Sequence, residues 1–333
     1  MTVSENPIQP SQRPEGNGFV RALLKQETVL AIILVIGVLV LATQTDKFLT
    51  TDNILNQGRL LTEVALMALP MTFIIITGGI DLSVGSILGL TAIVLGYSWK
   101  NLGMPLEVAI VVSIVVGTLA GFINGLFIVK LGVPPLIMTL ATLALYRGLA
   151  EGISLSRSVR GYPDWFLQLG GGNLLGVPSQ VWIVVIAAII SAIVLARTTF
   201  GRSLYAIGNN ELGARYSGIP VDRVKLLIYT FSGFMAALAG YIYVSRVTTT
   251  RSDFGTGLEL DVIAAVVLGG TSIFGGSGSI LGTVIGLIMI QLLKDGLSLS
   301  GVKGDATIII VGVVLILSIM VNNFIQRRTG ASA

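Results

Sequence analysis

Three stretches hold the residues with which this chain could do chemistry. Residues 208–215 read GNNELGAR, a glycine, four residues and a second glycine, which is the spacing of a phosphate-binding loop. The positions that follow are Ala214 and Arg215, where such a loop needs Lys for the phosphates and Ser or Thr for Mg²⁺, so the stretch binds no nucleotide. Residues 76–86 read ITGGIDLSVGS and set Asp81 among apolar neighbours, where burial in lipid costs about 2.5–3.5 kcal/mol on insertion scales. Arg147 and Glu151, four apart, suit an ion pair on a helix surface. The chain has no Cys and no His, which excludes disulfides, thiol chemistry, hydrolase triads, zinc sites and every His-based acid, base or metal ligand. No catalytic residue and no metal site is expected.

The elements that must position these residues are membrane helices. Of 333 residues 53% are hydrophobic and 11% charged, with a mean hydropathy of +0.88, and soluble domains carry roughly twice that charged fraction. The charges fence off uncharged windows at 28–45, 64–80, 82–99, 108–129, 131–146, 165–196, 226–245, 262–293 and 306–326. The first half of 165–196 is loop chemistry, QLGGGNLLGVPSQ, so its span begins near Val181. The window 262–293 is interrupted by GGTSIFGGSGS and is predicted as two short helices around a glycine-rich break, which brings the count to ten. The fold class is therefore an all-α polytopic membrane protein: a tail at 1–27, a transmembrane domain at 28–326 with a polar loop at 197–225, and a tail at 327–333. The first apolar stretch has no small-residue cleavage pattern behind it and is read as an uncleaved span.

Ten spans put both termini and the 197–225 loop on one side. Eleven of the 21 Lys and Arg residues then fall on that side, so orientation rests on clustering rather than on the count: the five-cation loop and the basic tails group together, whereas the other loops mix in Asp46, Asp52, Glu151, Asp164 and Asp253. That side is assigned to the cytoplasm.

Local signals place the candidate residues. A short amphipathic helix is predicted over 210–217, with Asn209 or Asn210 as N-cap, Gly218 at its C-terminal end and Pro220 stopping it. It suits docking into a partner's groove; a solvated loop that only fixes orientation is the plainer alternative. Gly78 and Gly79 end one helix and Asp81 or Ser83 caps the next, or the two glycine-interrupted segments, one per half, mark broken helices beside a transport path. Gly278, Gly282 and Gly286 recur every fourth residue and are expected to pack along one face of the ninth span. Pro134 and Pro135 open the fifth span.

These segments carry a family resemblance. Glu211-Leu212-Gly213-Ala214 followed by Gly218-Ile219-Pro220 resembles the cytoplasmic coupling loop of ABC importer permeases, although Leu212 and Gly213 stand where the general pattern has Ala. Residues 68–86, 251–283 and 208–225 resemble segments of the ribose, rhamnose and autoinducer-2 group of sugar importer permeases, and the likeness runs from about residue 28 to 325. The resemblance implies a type II importer-like permease fold in the bacterial inner membrane. It also implies a cytoplasmic ATPase that holds ATP and Mg²⁺, a sugar-binding protein on the outer side, and a second permease, either another copy or a homologue. This chain itself would bind no cofactor and no nucleic acid.

On that reading Gly208, Asn209, Asn210, Glu211, Gly213, Ala214, Arg215, Gly218 and Ile219 couple to the ATPase. Thr77, Asp81, Ser83, Asn124 and Thr142 are expected along the translocation path by polarity and position. Arg157, Arg160, Asp164, Arg246 and Arg251 are expected to meet the binding protein. Apart from Asp81, every charged residue falls near a window edge, so an ion-coupled mechanism lacks its usual intramembrane group and the energy must come from another subunit. A stand-alone ten-span secondary transporter is the alternative. A membrane-embedded transferase would need an acid, base or metal cluster that the scattered Asp and Glu do not supply.

Overall fold

A computed structural model describes residues 26–44, 47–302 and scattered positions between 304 and 320. The C-terminal tail and all but the last two residues of the N-terminal one, with Arg13, Arg21, Lys25, Arg327 and Arg328, lie outside the described residues. The chain is helical nearly throughout: α1 (Gln26–Gln44), α2 (Thr51–Ile76), α3 (Val84–Lys100), α4 (Leu106–Lys130), α5 (Pro135–Ser154), α6 (Asp164–Gly171), α7 (Ser179–Arg197), α8 (Thr199–Asn209), α9 (Glu211–Tyr216), α10 (Val221–Val247), α11 (Leu258–Leu268) and α12 (Ile280–Leu299). Two-residue strands pair antiparallel between helices, β1 (Val159–Arg160) with β4 (Thr249–Thr250) and β2 (Asn173–Leu174) with β3 (Val177–Pro178).

Six described helices, α2, α4, α5, α7, α10 and α12, are long and apolar enough to cross a membrane. The ten spans expected from the sequence are not reached among the described residues. α3 has 17 residues, α1 is apolar over a shorter stretch, and the last window, 306–326, falls on the scattered positions and beyond the described residues. The window 262–293 does divide as expected: α11 has 11 residues, about 16 Å of helix and half a bilayer core, and the chain breaks over 269–279 before α12 resumes. Gly278 lies in that break and not on the helix, so the three-glycine face reduces to Gly282 and Gly286, where a Cβ would overlap the carbonyls of Gly269 and Ala265.

α2 is the axis of the fold. Its residues from Thr62 to Ile76 are buried almost without interruption, enclosed by α7, α10, α11 and α12. Lipid is as apolar as Leu, so α2 is held inside protein by close packing and not by escape from water. The tightest seam joins α4 to α10: a Cβ on Gly121 would overlap the carbonyl oxygen of Tyr229, and one on Gly233 would overlap that of Gly117. Gly117 and Gly121, one turn apart, let the two backbones touch.

Candidate functional site

Two polar assemblies interrupt this apolar bundle: an elbow built from α8 and α9, and a buried network at the break between α2 and α3. In the elbow, the Thr198 side chain accepts from Gly201 N–H to start α8, and Asn210 both ends α8 and caps α9, its Oδ1 accepting from Gly213 N–H at 2.8 Å. Gly218, at φ +82°, ends α9: its N–H reaches the Arg215 carbonyl and the Ile219 N–H returns to Ala214. Pro220 then opens α10. Asn209 is the last residue of α8, so the expected cap is Asn210 alone.

Charges pin the elbow to the start of α10. Glu211 takes Lys225 at 2.6 Å and Arg215 at 3.4 Å, while Arg215 reaches Asp222 at 2.7 Å. The hydrogen bond and charge of Asp222 hold the Arg215 guanidinium above its ordinary value. Ala214 is the buried contact of α9. Opposite it, Leu212 and Tyr216 stand one turn apart and are 67% and 89% exposed, a small apolar knob that none of the described residues covers. Neither residue is among the coupling residues expected from the sequence, though their i, i+4 spacing beside a polar face is the signal that marks them. Gly208 and Asn209 do not lie on this knob; they sit at the root of the elbow, against the ends of the broken helices.

The network at the first break is wholly buried. Asp81 Oδ1 accepts from the N–H and the hydroxyl of Ser83, at 3.0 and 2.6 Å, and Oδ2 accepts from the Ser232 hydroxyl of α10 at 2.9 Å. Asn124 of α4 donates to Ser83 Oγ at 2.8 Å, and Tyr146 of α5 donates to the Ala120 carbonyl at 2.9 Å beside Asn124. Asp81 thus binds the Ser83 amide just before α3 and also ties the break to α10. Asp81, Ser83 and Asn124 are brought together. Thr77 and Thr142 stand apart, each donating to carbonyls of its own helix. Ser232 and Tyr146 complete the network and were missed, since both occur in windows that read as plain apolar spans. The Tyr229 hydroxyl, fully buried, has no hydrogen-bond partner among the described residues.

The residues expected to meet the binding protein divide. Arg157, Arg160 and Asp164 are exposed, and Arg251 is exposed while bound to Asp253 at 2.6 Å. Arg246 turns inward: its Nε donates to Glu63 of α2 at 2.8 Å, and its guanidinium lies 5.0 Å from the Tyr243 ring. Arg147 does not pair with Glu151. It donates to the carbonyls of Ser252 and Phe254, at 2.5 and 2.7 Å, because the 251–257 loop brings them over α3 and α5. A cavity of about 310 Å³ between α1, α2 and α12 has apolar walls; its polar side chains, Asn53, Gln57, Gln291 and Asp295, are bonded to one another. Among the described residues no cluster suits a metal ion.

Residues 51–319 match the sequence model of a family described as the permease component of a branched-chain amino acid transport system. The chain belongs to this permease family. The permease is 41% identical over 292 residues to a ribose import permease of Bacillus subtilis (strain 168), covering 87% of this chain and 90% of the relative. It is 38% identical over 305 residues to the ribose import permease of Escherichia coli (strain K12), covering 90% and 94%. It is 35% identical over 300 residues to an autoinducer 2 import system permease of Photorhabdus luminescens, covering 88% and 90%. No solved structure matches the permease. It is a multi-pass membrane protein of the transport class, and the stand-alone transporter is not the reading its relatives favour.

Proposed function

We propose that the chain is the membrane subunit of an ATP-driven, binding-protein-dependent importer of a sugar or sugar-like solute, of the ribose, rhamnose or autoinducer-2 class, moving solute by alternating access. The observation that carries this is the elbow: a capped, charge-pinned helix, α9, whose Leu212 and Tyr216 are left uncovered among the described residues. A chain without a nucleotide loop needs another subunit to supply energy, and an exposed knob on a braced helix is what such a subunit can grip. The solute class rests on the names of the relatives, two ribose permeases and one autoinducer-2 permease among them.

In this reading the permease domain runs from 28 to 326 with ten spans in a type II importer-like fold, both termini and the 197–225 loop are cytoplasmic, and α1, α3, α11 and the window 306–326 supply the four crossings beyond the six. The permease makes and breaks no covalent bond; ATP and Mg²⁺ are held by the ATPase. A second permease, the same or homologous, completes the pore, and Arg157, Arg160, Asp164 and Arg251 receive the binding protein. Thr77, Asp81, Ser83, Asn124 and Thr142 are buried here. As path residues they meet solute only in a state that parts α3 from α4 and α10.

The test is assembly and uptake in the complete system with Glu211→Ala combined with Gly218→Arg. The expected outcome is normal membrane insertion with loss of both ATPase association and uptake. Uptake that persists without any ATPase would overturn the proposal.

A further inference from the structure

The root of the elbow meets both broken helices at one point. The Ile76 carbonyl, at the end of α2, accepts from Gly276 N–H at 2.9 Å, so the first break is bonded directly to the 269–279 break. Gly208, in the last turn of α8, lies against that bond: a Cβ there would overlap both the Ile76 carbonyl oxygen and the Gly276 nitrogen. The neighbours close around it. A Cβ on Gly276 would come 2.6 Å from Asn209 Oδ1, and one on Gly275 would lie 3.0 Å from the carbonyls of Gly208 and Ile76 and 3.1 Å from Gly78 N. One turn back, the Tyr205 hydroxyl donates to the Gly278 carbonyl at 2.8 Å.

Three backbones thus share a contact with no side chain between them, and the geometry needs glycine in the α8 strand of that contact. Two residues after Gly208, Asn210 ends α8 and caps α9, so no slack separates the exposed knob from the joint. Close-packed backbones transmit displacement because they cannot be compressed.

We propose that Gly208 is a positioning residue, which locks the elbow and the two glycine breaks into one rigid joint, so that a displacement of α9 moves both breaks together. The proposal rests on the importer reading and names the place where ATPase movement enters the spans.

Two variants test it in proteoliposomes holding the permease with its ATPase and binding protein. Gly208→Ala forces the three backbones apart while leaving the α9 surface untouched. The expected result is that the ATPase still co-purifies and hydrolyses ATP while solute uptake falls at least about tenfold, on the scale of a lost coupling between sites. A merely structural role would lower assembly and hydrolysis in step with uptake. The second variant uses the absence of native Cys: Asn209→Cys with Gly276→Cys, chosen because a Cβ at 276 would lie 3.1 Å from the Asn209 Cγ. If the joint moves as one body, oxidising that pair leaves uptake within about twofold of its reduced form. Wild-type uptake by Gly208→Ala, or transport stopped by the cross-link and restored on reduction, would overturn the rigid joint. Should Gly208→Ala fail to assemble, the cross-link decides. Wild-type uptake that needs no ATP would instead refute the importer reading, while the cross-link still reports on the joint.

Discussion

Arg246 shows how far a charged residue's role depends on a partner distant in the chain. It ends a long apolar helix, where an arginine reads as an outward cation, yet it is 20% exposed and bound to Glu63, itself 2% exposed. Removing one member of such a buried pair costs about 3–5 kcal/mol, because the other is left charged and unpaired. Glu63→Leu and Arg246→Met should each lower the melting temperature of the detergent-solubilised permease sharply, while the double variant recovers most of the loss; thermal melts of the three settle it, and additive losses would contradict the pairing. Asp81 makes a similar case without a cation. Replacing it with Leu strands the Ser83 amide and the Ser83 and Ser232 hydroxyls, at about 1–3 kcal/mol for each donor left unsatisfied. Asp81→Leu should therefore melt well below Ser232→Ala, and equal melting points would mean the carboxylate is not the hub. Neither Glu63 nor Ser232 was legible as a partner, because the contacts span 183 and 151 residues and no local pattern records them.

Elements were most legible where their signals are local. Asn210, Gly218 and Pro220 bound α9 within a residue of its place, since caps and turn residues act on neighbouring backbone groups. The glycine-rich interruption of 262–293 was equally plain, but the register of the helix after it was not: Gly278 shares the fourfold spacing of Gly282 and Gly286 and still lies outside α12. The seam of Gly117 and Gly121 on Gly233 went unread, because spacing on one helix does not say which helix comes against it. At this scale Gly121→Val should be far more damaging than Gly148→Val, since Gly121 touches the α10 backbone whereas Gly148, also on a helix, has open space around it. Folded yield and monodispersity on gel filtration would show the difference; similar yields would refute the close seam.

For the whole molecule, hydropathy and the fenced windows gave a polytopic helical protein directly, and six full-length spans are present among the described residues. What hydropathy could not give is which helix is central. α2 is less apolar than α4 and α7, yet α2 is enclosed by protein whereas most of α7 faces outward. The functional account turns on α9, whose Leu212 and Tyr216 project beyond the bundle while Ala214 and Glu211 tie the helix to it. The most direct measurement is ATP-dependent solute uptake into proteoliposomes containing the permease, its ATPase and its binding protein, comparing wild type with Leu212→Asp plus Tyr216→Asp. The predicted result is a permease that inserts and melts as wild type but neither retains the ATPase nor takes up solute. Uptake by the double variant at the wild-type rate, or uptake by wild type without ATP, would contradict the account.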